Sequence, residues 1–199
     1  MIAKASLKIS TGIYQPETFK RETKYGLTVL TSTDQGLLTY LNTVVSQMGT
    51  WLLHGNLQRL VVVVTGIDSE EILERWQFNV ICEEGKRNPL SSRGDENIMY
   101  NTQTTTKKTQ KSIKEIHNEI QAIIRQITAS VTFLPLLDEP CSFDLLVYTS
   151  NDAVVPKKWE DSDPCYIMNS QDVKLRSFTT SVHKVDSMVT YKEKDPWEL

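Results

Sequence analysis

"VKLRSFTTSVHKVDSMVTYK", Val173 to Lys192, is the stretch whose reading decides this fold. Its β-branched and aromatic residues predict two strands around a turn near Lys184–Asp186. Ahead of it lies a polar arm, "SNDAVVPKKWEDSDPCYIMNSQD", Ser150 to Asp172. The arm has two prolines, several Asp and Ser, and a tryptophan, Trp159, with nothing local to pack on. A hairpin on a long, loosely anchored arm needs a sheet edge to lie against, and the rest of the chain must supply one.

Working outward, "SFDLLVYT" (Ser142–Thr149) and the "TFLPLL" before it predict a strand interrupted near Pro135 and Pro140. Proline cannot donate to a ladder, so this strand belongs at an edge, at least in its first part. "LQRLVVVVTGI" (Leu57–Ile67) is continuously apolar and β-branched, as a central strand buried on both faces would be. "ILERWQFNVIC" (Ile72–Cys82) alternates. Trp76, Phe78, Val80 and Cys82 fall on one side, with Cys82 an inert buried thiol, and Arg75, Gln77 and Asn79 on the other. A turn of Gly66, Asp68 and Ser69 should join these two runs as a hairpin.

Two helices complete the pattern. Leu37, Leu38, Leu41, Val44, Val45, Met48, Trp51 and Leu52 recur at helical spacing, with Thr33 or Asp34 as N-cap and Gly55 after the C-terminus. The second runs through "SIKEIHNEIQAIIRQITASV", opened by a Ser112/Glu115 capping box. Its stripe of Ile113, Ile116, Ile120, Ile123, Ile124, Ile127 and Val131 predicts a central core helix across the sheet. Arg125 and Gln126 lie roughly 140° and 240° from Ile120 at 100° per residue, away from the stripe. They form either a solvated face or an interaction face, where arginine is enriched. Residues 1–24 read as a lead-in with a turn at "YQPE", followed by a short strand in "YGLTVL"; residues 83–111 read as a long mobile loop.

Composition narrows the function. The chain has 199 residues and a formal charge of −3, so nothing draws it to phosphate backbones. No apolar run has membrane-spanning length, and "MIAKASLKIST" lacks the apolar core of a signal peptide. Cys82, Cys141 and Cys165 are too far apart for a metal knuckle, and there is no N-x-Ser/Thr acceptor. These features predict a reducing compartment and no nucleic-acid or membrane partner. Phosphate loops, nucleophile elbows and H-E-x-x-H motifs are absent, and His54, His117 and His183 are scattered. His117 borders a helix stripe, Glu70 and Glu71 read as turn residues, "RGD" at Arg93–Asp95 reads as coincidence, and Trp197 receives no role. The sequence therefore predicts a protein that is not an enzyme and uses no cofactor.

Seven segments resemble the HORMA-domain family, most closely its spindle-checkpoint branch: "GIYQPETF", "KYGLTVL", "LERWQF", "IRQITASVTFLPLL", "CSFDLLVYT", "VPKKW" and "LRSFTTSVHKVDSMVTYK". They occur in order from Gly12 to Tyr191, and only residues 85–111 diverge. The resemblance implies an α+β fold with a three-stranded antiparallel central sheet, helices backing it and a mobile C-terminal safety-belt β-hairpin. It divides the chain into a truncated lead-in (1–11), a HORMA core (12–150, with the flexible loop 85–111) and the belt and tail (151–199). Two conformers are implied. In the open one the hairpin covers the edge strand; in the closed one it crosses to the opposite edge. A partner peptide then adds as a strand and the belt wraps it.

The same resemblance implies roles for particular residues. Phe143, Leu145, Val147 and Tyr148 would lie on the strand that pairs with the peptide. Trp51, Phe133 and Trp159 would repack between conformers. Arg125 and Gln126 would form the face where an open copy meets a closed one. Phe178, Val182, His183, Val185, Ser187, Met188 and Tyr191 would belong to the moving hairpin. Implied partners are a coiled-coil kinetochore scaffold, the activator subunit of the anaphase-promoting complex, other checkpoint-complex proteins, an AAA+ remodelling ATPase with its HORMA-like adaptor, and a second copy of the chain. Implied locations are the nucleus, the kinetochore and spindle in mitosis, and the cytoplasm. Alternative family roles are the adaptor of a translesion DNA polymerase and a meiotic chromosome-axis protein. One departure stands out: the family carries a full helix ahead of the Gly12–Phe19 tract, where this sequence has "MIAKASLKIS". Apolar surface should be exposed as a result, with lower thermal stability. Ser187, beside Asp186, is a position where an added phosphate should repel the hairpin.

Overall fold

The computed structural model describes residues 1–5, 18–82 and 111–193. The "YQPE" turn, most of the 83–111 loop, "RGD" and Trp197 lie outside them. In chain order the elements are β1 (Ile2–Ala5), β2 (Phe19–Lys24), β3 (Leu27–Ser32), α1 (Gln35–Leu53), β4 (Leu57–Gly66), β5 (Ile72–Cys82), α2 (Ile113–Ala129), β6 (Cys141–Thr149), β7 (Glu160–Asp161), β8 (Ser170–Lys174), β9 (Phe178–Thr179) and β10 (His183–Lys192).

Three antiparallel strands, β6-β4-β5, form the middle of the sheet. Both sides are extended, giving the order β7-β1-β6-β4-β5-β10-β8, with β9 on β10. The long apolar run of β4 is central because it is covered on both faces. Leu60, Val62 and Val64 pair with Val147, Leu145 and Phe143; Val61 pairs with Leu146. Val44 and Trp51 of α1 pack with Leu145 and Val147 on the first face. On the second face Val61, Val63 and Leu146 are nearly inaccessible, beneath Ile2, Tyr148 and Cys165.

Local chemistry sets the ends of the elements. Asp34 caps α1 by accepting from the Leu37 amide at 2.7 Å, and Gly55 follows its C-terminus at φ +72°. Both halves of the Ser112/Glu115 capping box are present. The β4–β5 turn is held by Glu139, whose carboxylate accepts from the Asp68 and Ser69 amides (2.9 and 3.0 Å) and from Ser69 Oγ (2.6 Å).

Several expectations change. The lead-in contains a strand of the main sheet, β1. "YGLTVL" is one arm of a two-stranded ribbon, whose other arm is the charged β2 and whose turn places Tyr25 and Gly26 at positive φ. "TFLPLL" is not strand: Ser130–Thr132 is a 3-10 turn, and pairing begins only at Cys141, past Pro140. The last hairpin turns at Thr180–Val182, where Thr180 Oγ1 accepts from the Val182 and His183 amides; Lys184–Asp186 lies inside β10. α2 is half-buried and not the central core helix. Only Ile123 is fully covered, while Ile113 at its start is 72% exposed and Val131, in the 3-10 turn that follows it, is 75% exposed. Cys82, the last residue of β5, is exposed. Among the described residues, no helix is long and apolar enough to cross a membrane.

Candidate functional site

The N-terminal segment and the C-terminal arm meet at the outer edge of β6. β6 is flanked by β4 on one side, and its other edge takes a single short strand, β1, in the register Ile2–Tyr148, Ala3–Val147, Lys4–Leu146 and Ala5–Leu145. Beyond β1 runs β7, from the C-terminal arm, pairing Ala3 with Asp161 and Lys4 with Glu160. The edge is therefore a slot one strand wide, walled by the sheet and by the arm.

Two tryptophans close the helix face of this slot. Trp51 of α1 is 2% exposed and donates from Nε1 to the Val154 carbonyl at 3.0 Å. Trp159 stacks edge-on against it, with ring centroids 5.0 Å apart. Together with Leu57, Val147 and Ala3 they form one apolar cluster. An indole that had no local partner in the sequence thus finds one more than a hundred residues away. Its position carries the arm over the end of α1.

The opposite face is held by a polar latch. Arg75 is 3% exposed. Its guanidinium donates to the Pro164 carbonyl (3.3 Å), to Gln77 Oε1 (2.6 Å) and to the Tyr148 hydroxyl (3.3 Å), and lies 5.3 Å from the Tyr166 ring centre. Gln77 in turn donates to Asn79 at 3.0 Å. This ladder ties the arm across the back of β5 and β6. Arginine suits the place because its planar fork supplies several donors while its face stacks on an aromatic ring. The alternation of β5 had placed Arg75, Gln77 and Asn79 on the polar side, which reads as solvent. A polar stripe on an inner strand of a sheet is the signal that something else covers it.

From β7 the arm passes behind the sheet to β8, which pairs with β10 at the far edge. β10 lies along β5 from His183–Cys82 to Tyr191–Glu74. Of the two arrangements implied for this fold, this is the closed one: the hairpin sits on β5 and the edge of β6 is left to another strand.

The predicted site residues fall into separate groups. Phe143, Leu145 and Val147 face α1, while Tyr148 faces the arm under Arg59, whose guanidinium lies 4.9 Å from its ring. Trp51 and Trp159 meet, but Phe133 does not join them. It is partly exposed beside Tyr191 of the hairpin, with ring centres 6.4 Å apart. Arg125 is exposed. Gln126 is not free, since its Oε1 accepts from the Arg176 amide at 2.7 Å. Glu119 accepts from the Thr179 amide at 2.9 Å, so α2 also braces the hairpin loop. Within the hairpin, Phe178 pairs opposite Val185, Met188 opposite Gln77, and Ser187 is 4% exposed with its hydroxyl unpartnered among the described residues. Val182 and His183 line a cavity of about 390 Å³ with His54, Asn56 and Cys82, and burial lowers the His183 pKa.

Among the described residues, titratable groups do not converge into a reactive set. Burial raises the Glu74 carboxyl, which accepts from Trp76 Nε1 at 2.8 Å. Burial, with the Asp144 charge nearby, pushes the Tyr40 phenol to about 12. The Cys141 thiol is raised by burial and by neighbouring carboxylates. Among the described residues, no three His, Cys, Asp or Glu side chains could jointly hold a metal ion.

The family model of the HORMA domain matches residues 6–183. The mitotic spindle assembly checkpoint protein MAD2A of Dictyostelium discoideum is 55% identical over 181 residues, covering 91% of this chain and 81% of the relative. Its human counterpart is 51% identical over 187 residues, covering 94% and 83%. A chain in the crystal structure of the mitotic checkpoint complex superposes with a TM-score of 0.74 at 42% identity, covering 92% of this chain and 88% of that one. HTP-2 bound to HTP-3 motif-6 shares the fold at TM-score 0.63 and 17% identity, with 92% and 82% covered. The chain belongs to the HORMA-domain family and, within it, to the group of the mitotic spindle checkpoint MAD2 proteins.

Proposed function

We propose that this chain is a spindle-checkpoint adaptor that captures a partner peptide as an added strand on β6 and straps it in place with residues 150–169. The observation that carries this reading is the slot between β6 and β7, one strand wide, capped by Trp51–Trp159 on one face and latched through Arg75 on the other. Backbone pairing supplies affinity whatever the sequence, and the side-chain pockets supply selectivity. Leu145 and Val147 would meet alternate peptide residues on the helix face, Tyr148 those on the arm face, and Phe143 the far end. Self-association would use the exposed Arg125 side of α2, with Gln126 bracing the hairpin beneath it.

The checkpoint role is supported by the identity to MAD2A proteins and by the likeness to a chain of the mitotic checkpoint complex. In this reading the captured peptides come from a coiled-coil kinetochore scaffold and from the activator of the anaphase-promoting complex. Holding the activator, together with other checkpoint proteins, delays anaphase until kinetochores attach. An AAA+ ATPase with a HORMA-like adaptor reopens the strap. The chain acts at kinetochores in mitosis and resides in the nucleus and cytoplasm. Catalysis has no part in this.

Calorimetry of the full chain against synthetic peptides from the scaffold, the activator, a translesion polymerase and a meiotic axis protein tests it. Scaffold and activator peptides should bind, and Val147→Glu should abolish the binding. Preference for the polymerase or axis peptide would reassign the chain within the family.

A further inference from the structure

We propose that Ile2–Ala5 is a resident ligand of the β6 edge: the chain holds one of its own segments where a partner peptide adds, and a partner must first expel it. This rests on the reading of that edge as the peptide site.

The segment is treated by the structure as a ligand would be. It is enclosed on four sides. β6 and β7 pair with its two edges. Trp51 and Trp159 cover Ala3, which is 0% exposed, and Ile2 packs on the Val61, Val63 and Leu146 cluster on the other face. The strap closes behind it through the Ser162 amide, which donates to the Ile2 carbonyl at 3.3 Å. At the end of β6 the Thr149 amide donates to the Met1 carbonyl at 3.0 Å.

It is also the more lightly paired of the two strands that flank β6. β1 pairs with β6 at four positions, whereas β4 pairs with β6 and β10 with β5 at nine each. A four-residue strand contributes little stability of its own, and such segments open first. Its departure would leave β4, β5, β6 and β10 paired.

The occupant specifies the chemistry of its competitor. An incoming peptide runs antiparallel to β6. It needs an aliphatic residue at the Ile2 position, facing the Val61–Leu146 cluster. At the Ala3 position it needs a small residue, because two indoles close over it. At the Lys4 position it needs a cation, because Lys4 Nζ sits 2.9 Å from the Asp144 carboxylate. The ligand class is therefore an extended peptide of the pattern aliphatic, small, basic.

Two measurements on the full chain test this. In the first, a fluorescein-labelled peptide of residues 1–10, "MIAKASLKIS", is titrated into the parent, Ala3→Glu and Val147→Glu proteins. A site filled by its own segment binds an added peptide more weakly in proportion to the fraction left open. Ala3→Glu empties the slot and should bind at least about tenfold more tightly than the parent, while Val147→Glu should not bind. Equal affinity of parent and Ala3→Glu overturns the resident ligand and leaves peptide capture standing. Failure of both proteins to bind this peptide or the scaffold peptide overturns both readings. The second measurement needs no variant. Carbodiimide should couple Lys4 to Asp144 in the parent, read as a cross-linked peptide by mass spectrometry, and saturating scaffold peptide should suppress it. A cross-link undiminished in the peptide-bound protein overturns displacement.

Discussion

Truncating Trp159 to alanine separates the strap from the body of the protein. The indole packs edge-on against Trp51 and borders the clusters of Ala3, Val147, Val44 and Leu145. Emptying a fully buried tryptophan site costs about 3–5 kcal/mol. Trp159 is half-exposed, so roughly half of that applies, and about 0.5–1.5 kcal/mol is added for the lost ring pair. The result is about 2–4 kcal/mol, which falls on strap closure, since β4, β5, β6 and β10 keep all their pairing. At 1.4 kcal/mol per factor of ten, a captured peptide should leave roughly 30- to 700-fold faster. The assay loads a labelled scaffold peptide, adds excess unlabelled peptide and follows anisotropy. Val154→Ala is the control: its side chain is 83% exposed, and only its carbonyl, which alanine keeps, receives the Trp51 bond. Its release rate should stay within twofold of the parent. Release from Trp159→Ala within threefold of the parent would refute the assignment of Trp159 as the strap's anchor.

Other perturbations act on the latch, the hairpin, the outer helix face and the turn. Arg75→Leu removes the donors to Pro164, Gln77 and Tyr148, each worth about 1 kcal/mol net, so deuterium exchange across residues 160–166 should speed at least about tenfold. Ser187→Asp places a carboxylate where a hydroxyl already has no partner among the described residues and is 4% exposed. It should lift β10 from β5 and shift the two-state profile on anion exchange, while Ser187→Ala should be neutral or slightly stabilising. Unchanged peptide affinity and profile for Ser187→Asp would end the phosphate-repulsion idea. Arg125→Glu should abolish self-association in sedimentation yet spare peptide binding, and loss of both would show that the fold is damaged. The Glu139 carboxylate is held below its usual 4.5 by its bonds from Ser69 and Asp68. Because its folded pKa is depressed, its contribution is present above about pH 4.5 and lost as pH falls through the folded value. Thermal melts of Glu139→Gln should therefore lack that acid-side decline.

The elements legible in sequence were those whose burial matches their own periodicity. β4 is covered on both faces and reads as an unbroken apolar run; α1 and α2 carry caps that appear unchanged in the structure. What stayed hidden depends on partners remote in the chain. β1 has four residues and no pattern, and its register is set by residues 145–148. β2 is charged because its ribbon has no buried face, so hydrophobic alternation never develops. "TFLPLL" is apolar enough for a strand, but proline and the 3-10 turn remove the donors that a ladder needs. Arg75 looked solvated because the residues that cover it, Pro164 and Tyr166, come from an arm with no apolar signal. The resemblance to a known family supplied the hairpin's destination, which periodicity alone could not.

The position of the hairpin and the occupancy of β6 are linked through the strap. β10 makes its full ladder with β5, so its backbone groups are spent at that edge and the outer edge of β6 is left to another strand, which here is β1. Crossing from β6 to β8 spans four strand spacings, about 19 Å at 4.8 Å each. The 20 residues from Ser150 to Asn169 can extend to roughly 66 Å. The excess length is what lets the strap travel outward around a further strand before it turns behind the sheet. A shorter strap would cross directly and leave β6 bare; a hairpin seated on β6 would fill the edge itself. Only with the hairpin on β5 and a long strap does the edge become a closed slot. Shortening the strap is then expected to weaken capture without weakening the sheet. Deleting Asp161 and Ser162 should remove the β7 pairing and hasten peptide release, while the β10–β5 amides keep their exchange protection. Loss of protection along β10 in that deletion would show that strap and hairpin are one cooperative unit and not a closure mounted on an independent sheet.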